Sequence, residues 1–164
     1  MRYIIISGGI RLLDKIKTNP FFNVIWIALI CVIHIVLFKS KVNMDYQIWQ
    51  RILIALIAVF CTFTIHELIH FVFFKMFGGS NVKIRIIKSP VGLPALGTEA
   101  QVDFKKWQLV ITYLAPFVFL TLLSDIAFIF CDRVELLFFV VSVCNCAGCF
   151  YDIVETLTVA NKKD

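Results

Sequence analysis

The sequence predicts an all-α integral membrane protein, four transmembrane helices with one short β-strand or hairpin loop between them. Three observations predict it. Of 164 residues 60% are hydrophobic and only 16% charged, against about 45–50% and about 25% in an average soluble domain. The mean hydropathy is +0.90, more apolar surface than a chain this short could bury in a soluble core. The apolar residues also gather in four long stretches, near or above the ~20 residues that a helix needs to cross the hydrocarbon. Backbone groups in lipid must be paired within the segment, so these stretches are helices.

The spans are expected at 21–38, 49–77, 107–130 and 134–160, within a single membrane domain covering 1–164. The second and fourth are long enough to tilt or to project from the bilayer. Ahead of the first, in segment 1–19, Ile4, Ile5, Ile6, Ile10, Leu12, Leu13 and Ile16 mix with Arg2, Arg11, Lys15 and Lys17. That mixture suits a short interfacial helix. No small-x-small cleavage site follows the first span, which argues against a signal peptide.

Basic residues set the orientation. Arg2, Arg11, Lys15, Lys17, Lys75, Lys83, Arg85, Lys88, Lys105, Lys106, Lys162 and Lys163 fall on one side. Lys39, Lys41, Arg51 and Arg133 fall on the other. The richer side is cytoplasmic, which puts both termini and loop 78–106 there, with the plasma membrane as the location. The net charge of +5 fits anionic headgroups. Without a basic stripe interleaved with aromatics, no nucleic-acid partner is expected; the lipid bilayer is.

Within the loop, Val82-Lys83-Ile84-Arg85-Ile86 alternates with the period of a strand on a half-apolar surface. Pro90, Gly92, Pro94 and Gly97 are expected to break any regular element beyond it.

The second span holds His66-Glu67-Leu68-Ile69-His70. Residues i and i+4 share a helix face, so the two imidazoles can hold one Zn²⁺. Glu67 projects about 100° away, within reach of a water at such an ion, and is the candidate general base. Ionisable groups inside a span are costly without a compensating partner, and the chain has only three histidines. Thr62, one turn before His66, extends the stripe and suits a hydrated cavity.

Two histidines leave a catalytic zinc one protein ligand short. In the fourth span Asn145, Gly148, Asp152 and Glu155 share one face. Arg51 to His70 and Arg133 to Asp152 are both 19 residues, so the two groups reach a similar depth. Asp152 is the expected third ligand, with Glu155 one turn further on as its rival. Gly148 would let this helix approach the second closely. His34, at another depth, reads as a packing histidine. Asp125, near a span end, is expected to snorkel to water. Cys146 and Cys149 form Cys-x-x-Cys beside the ligand face, with packing or a thiolate role both open.

In order, the chain runs from a membrane helix with His-Glu-x-x-His to Phe77-Gly78-Gly79 and a short strand. A helix with Leu114-Ala115-Pro116 follows, then one with Asn145 and Asp152. Over about Ile52 to Glu155 it resembles the intramembrane zinc metalloproteases of the site-two protease type, and more closely the small zincin peptidases that share their core. The resemblance implies His66, His70 and Asp152 as zinc ligands, Glu67 as base and Asn145 as a substrate-side neighbour of the reacting centre. It implies hydrolysis of peptide bonds in a membrane protein or peptide substrate by a Glu-activated, zinc-bound water. The chain departs from that pattern after Asp152, where Ile153 replaces the usual glycine, and in lacking a proline between Asn145 and Asp152. Tyr151 also precedes Asp152 where glycine is common. The second reading is a metal-binding membrane protein without proteolysis, a sensor or transporter subunit. The third is an anchoring protein with buried polar contacts.

Overall fold

A computed structural model describes residues 19–38, 47–88, 94–101, 104–130 and 135–161. The expected interfacial helix, apart from Asn19, lies outside the described residues, as do Lys39, Lys41, Pro90, Gly92 and Arg133. Among the described residues five helices and a hairpin follow in chain order: α1 (Pro20–Phe38), α2 (Ile48–Met76), β1 (Ser80–Lys88), β2 (Pro94–Gln101), α3 (Lys106–Phe130), α4 (Glu135–Gly148) and α5 (Phe150–Ala160). α1, α2 and α3 are each long and apolar enough to cross a membrane, and α4 with α5, bent by 43°, is together apolar and long enough for a broken span or a re-entrant loop. The protein is an all-α membrane protein with a small two-stranded sheet.

Local chemistry sets the helix ends. Pro20 opens α1, where its missing N–H costs nothing, and the Asn19 side chain accepts the Phe21 N–H at 3.0 Å. α2 stops in a Schellman turn. Gly78 takes φ +86° and gives its N–H to Lys75 O, while Gly79 N–H reaches Phe74 O at 2.8 Å. A Cβ on Gly79 would sit 2.7 Å from that carbonyl oxygen, so the chain can turn straight from α2 into β1 only with glycine there.

The hairpin is antiparallel, pairing Lys83 with Glu99, Ile84 with Thr98 and Ile86 with Leu96. The strand expected at 82–86 is therefore part of a longer ladder. Pro94 and Gly97 do not break it: Pro94 is the first residue of β2, a place that needs no ladder donor, and Gly97 lies opposite Arg85. The alternation leaves Ile84, Ile86, Leu96 and Thr98 on one face and Lys83, Arg85 and Glu99 on the other. Arg85 and Glu99 are 3.5 Å apart.

The helices are apolar outside and mix polar with apolar residues where they meet. Val36 and Phe60 are 73% exposed, whereas Thr62, Thr112, Thr121, Ser142 and Asn145 are buried. Lipid is as apolar as leucine, so association rests on packing and interhelical hydrogen bonds. α2 packs on α4 and on the first half of α3, which also packs on α5; α1 packs on α4.

Two irregularities were not foreseen. α3 contains a π-helical stretch, Phe117–Leu122, immediately after Pro116. The continuous helix expected over 134–160 is two rods, broken at Cys149 (φ −68°, ψ 0°). There the Trp26 indole N–H takes up the Cys146 carbonyl at 3.0 Å, which ties α1 to the bend. Gly148 beside it faces α2: an added Cβ would lie 3.4 Å from Phe63 Cε1.

Candidate metal centre

His66 and His70 lie one turn apart on α2 and are both buried. α5 brings Asp152 against them. His66 Nε2 is 3.1 Å from Asp152 Oδ2, His70 Nε2 is 3.3 Å from Asp152 Oδ1, and the two Nε2 atoms are 3.2 Å apart. Among the described residues this trio is the group of His, Cys, Asp or Glu side chains able to share an ion; Glu155 is not part of it.

The other ring nitrogens show what those three atoms are. His70 Nδ1 is 3.0 Å from the Thr112 carbonyl, which can only accept, so Nδ1 carries the proton. His66 Nδ1 is 2.8 Å from Asn145 Oδ1. The Asn145 amide is oriented by its NH₂, which donates to Pro116 O at 2.8 Å and to Thr121 Oγ1 at 2.9 Å. In a neutral imidazole one nitrogen donates and the other accepts. With both rings neutral, both Nε2 lone pairs therefore converge on a carboxylate. Asp152 Oδ2 is buried and accepts no hydrogen bond. Such a cluster is costly as it stands and calls for a cation at its centre.

The spacing fits zinc. Bonds of about 2.0–2.1 Å in tetrahedral geometry set donor atoms roughly 3.3 Å apart. The observed 3.1, 3.2 and 3.3 Å match, and two imidazoles with one carboxylate form a catalytic-type donor set. Each histidine is backed by an acceptor on its far nitrogen, the usual arrangement behind metal-bound imidazoles.

Glu67 points off the histidine face towards the hairpin. The Thr98 hydroxyl donates to its Oε2 at 2.8 Å and also lies 3.0 Å from its backbone carbonyl. Asn145, expected beside the substrate, is 1% exposed and sits behind the His66 ring with its amide engaged on both ends. Cys149 is buried 3.6 Å from Asn145 Nδ2. Thr62 bonds back to Ala58 O at 2.6 Å.

His34 lies elsewhere, bonded to Ile30 O and Ser142 Oγ, both at 2.9 Å, which makes it a packing histidine between α1 and α4. Asp125 does not simply reach for water: the Ser142 hydroxyl donates to it at 2.6 Å, joining α3 to the same cluster.

Sequence reasoning missed Thr98, Thr112 and Thr121. Thr98 reaches Glu67 only through the hairpin register, which no local pattern encodes. Thr112 acts through its backbone carbonyl, which side-chain identity does not report.

A family model described as putative zincin peptidase matches residues 59–164. Comparison with curated proteins and with solved structures gives no match.

Proposed function

The chain belongs to the putative zincin peptidase family, and from that premise we propose that it is a zinc-dependent endopeptidase acting on membrane-embedded protein or peptide substrates. The observation that carries this reading is the convergence of His66 Nε2, His70 Nε2 and Asp152 within 3.1–3.3 Å of one another, with Glu67 between the two histidines in sequence. Zinc, when bound, would supply Lewis-acid activation of a substrate carbonyl and of the attacking water.

The chain's own residues do the rest. His66, His70 and Asp152 would hold the ion. Asn145 and the Thr112 carbonyl keep both rings in the tautomer that leaves Nε2 bare. Glu67 accepts the proton of the attacking water and later returns it to the leaving amine. The Thr98 hydroxyl fixes one carboxylate oxygen of Glu67, leaving the other for that proton. A substrate helix must unwind to expose its peptide bonds, and the strand at Val82–Ile86 can take the extended segment by β-pairing.

The charge asymmetry supports a cytoplasmic hairpin and termini in the plasma membrane, with the metal site about 8 Å within the boundary marked by Lys75, five residues beyond His70. A site at one depth, with apolar surface around it, favours hydrolysis over transport, which needs polar groups along a whole path.

The test compares membrane proteomes of cells carrying the wild type or Glu67→Gln. Membrane stubs or intact substrates should accumulate in the variant, and purified Glu67→Gln should retain zinc. A Glu67→Gln variant that still cleaves removes Glu67 as the base.

A further inference from the structure

Pro116 lies four residues after Thr112 in α3, where a helix would bond the residue-116 N–H to the Thr112 carbonyl. Proline has no N–H. The neighbouring Phe117 N–H turns instead to Leu114 O. The Thr112 carbonyl is thus open to a donor from outside the helix, and His70 Nδ1 meets it at 3.0 Å. Pro116 also gives its own carbonyl away. It accepts Asn145 Nδ2 at 2.8 Å, at the start of the π-helical stretch Phe117–Leu122. Such a stretch marks a break in the regular helical ladder, where side chains can insert. Asn145 in turn holds His66 Nδ1 at 2.8 Å.

We infer that Pro116 is a positioning residue for the metal centre, orienting His70 by the N–H it lacks and His66 by the carbonyl it lends to Asn145. This rests on the zinc reading above. Pro116 touches neither substrate nor ion. It makes the α3 backbone an acceptor surface that dictates which nitrogen each histidine presents. A proline that merely bent the helix would leave the histidine tautomers indifferent to its replacement.

Alanine separates the two arms, because it restores the N–H and keeps the carbonyl. The experiment uses the full chain in lipid nanodiscs, wild type and Pro116→Ala, loaded with zinc. Affinity is read by chelator competition, and ring nitrogens by ¹⁵N-imidazole NMR. With three histidines in the chain, His34→Gln and Asn145→Ala assign the signals. In the wild type both His66 and His70 should coordinate through Nε2 with a hydrogen-bonded Nδ1–H. In Pro116→Ala the His70 Nδ1–H signal should shift as its bond is lost to the new amide, the His66 signal should hold, and zinc affinity should fall about 10- to 100-fold, as when the backing of a metal ligand is lost.

Equal affinity within twofold and an unmoved His70 signal would overturn the inference while leaving the zinc site standing. If the variant does not fold, the wild type alone decides: His70 bound to zinc through Nδ1 overturns it, and an Nε2-bound His70 with a hydrogen-bonded Nδ1–H supports it. A wild type that takes up no zinc sinks the zinc reading itself, and this inference with it.

Discussion

The Thr98 hydroxyl donates to Glu67 Oε2 at 2.8 Å, across the gap between β2 and α2. The hairpin and the candidate base are therefore directly linked. Thr98→Val keeps the shape and removes the donor. A hydrogen bond to a charged group contributes about 1.5–3 kcal/mol, so cleavage should slow about tenfold or more while zinc content stays at wild-type level. Unchanged turnover in a peptide-cleavage assay would show that Glu67 needs no such anchor.

The helix content and the histidine pair were legible because both are local: apolar runs of span length, and the i, i+4 spacing of His66 and His70. The approach of Asp152 to the histidines matches a depth count of equal sequence offsets, which the 43° bend at Cys149 does not undo. The bend at Cys149 was not legible, since Cys149 carries no helix-breaking chemistry and the break is stabilised from outside by Trp26. The ladder position of Pro94 was obscured because proline reads as a breaker unless it falls at a strand's first residue. The hydrogen bonds behind the histidines were hidden for another reason, that one acceptor is a backbone carbonyl freed by a residue four positions away.

Asp152 bears the only carboxylate in the trio, and its Oδ2 has no hydrogen-bond donor. Asp152→Asn places an amide among two bare imidazole nitrogens, where its NH₂ can donate to them in place of a cation. Zinc affinity should drop by more than 100-fold, beyond the loss expected when only the group behind a ligand is removed. The variant should also be nearly indifferent to chelator in a thermal-unfolding assay. The wild type should lose stability on chelation, because metal binding to the folded state alone stabilises it by mass action. A wild type whose melting is insensitive to chelator would count against a structural contribution from the ion.

His34, Ser142 and Asp125 clamp three helices together. Ser142 Oγ lies 2.9 Å from His34 Nε2 and donates to Asp125 Oδ1 at 2.6 Å, so one hydroxyl bridges α1, α4 and α3. Ser142→Ala leaves the buried imidazole nitrogen and part of the carboxylate without that partner, at a cost of about 1–3 kcal/mol. Unfolding in mild detergent should register the loss, with zinc uptake unchanged because the cluster is separate from the metal trio. Wild-type stability in Ser142→Ala would mean that Trp26 and apolar packing hold α1 without the clamp.

Gly148 sets how closely α4 approaches α2. A Cβ there would lie 3.4 Å from Phe63 Cε1, a contact at the edge of ordinary packing, so Gly148→Ala should fold and bind zinc. Gly148→Leu would drive its branched end into that ring, and overpacking of this kind costs about 1–3 kcal/mol. The chain relieves it most readily by moving the α4–α5 unit outwards, and that unit carries both Asn145 and Asp152. Donor atoms now 3.1–3.3 Å apart would separate beyond the reach of one small ion. Zinc stoichiometry should therefore collapse in Gly148→Leu while circular dichroism still reports full helix content. A leucine variant that keeps its zinc would show that the bend at Cys149 absorbs the displacement before it reaches Asp152.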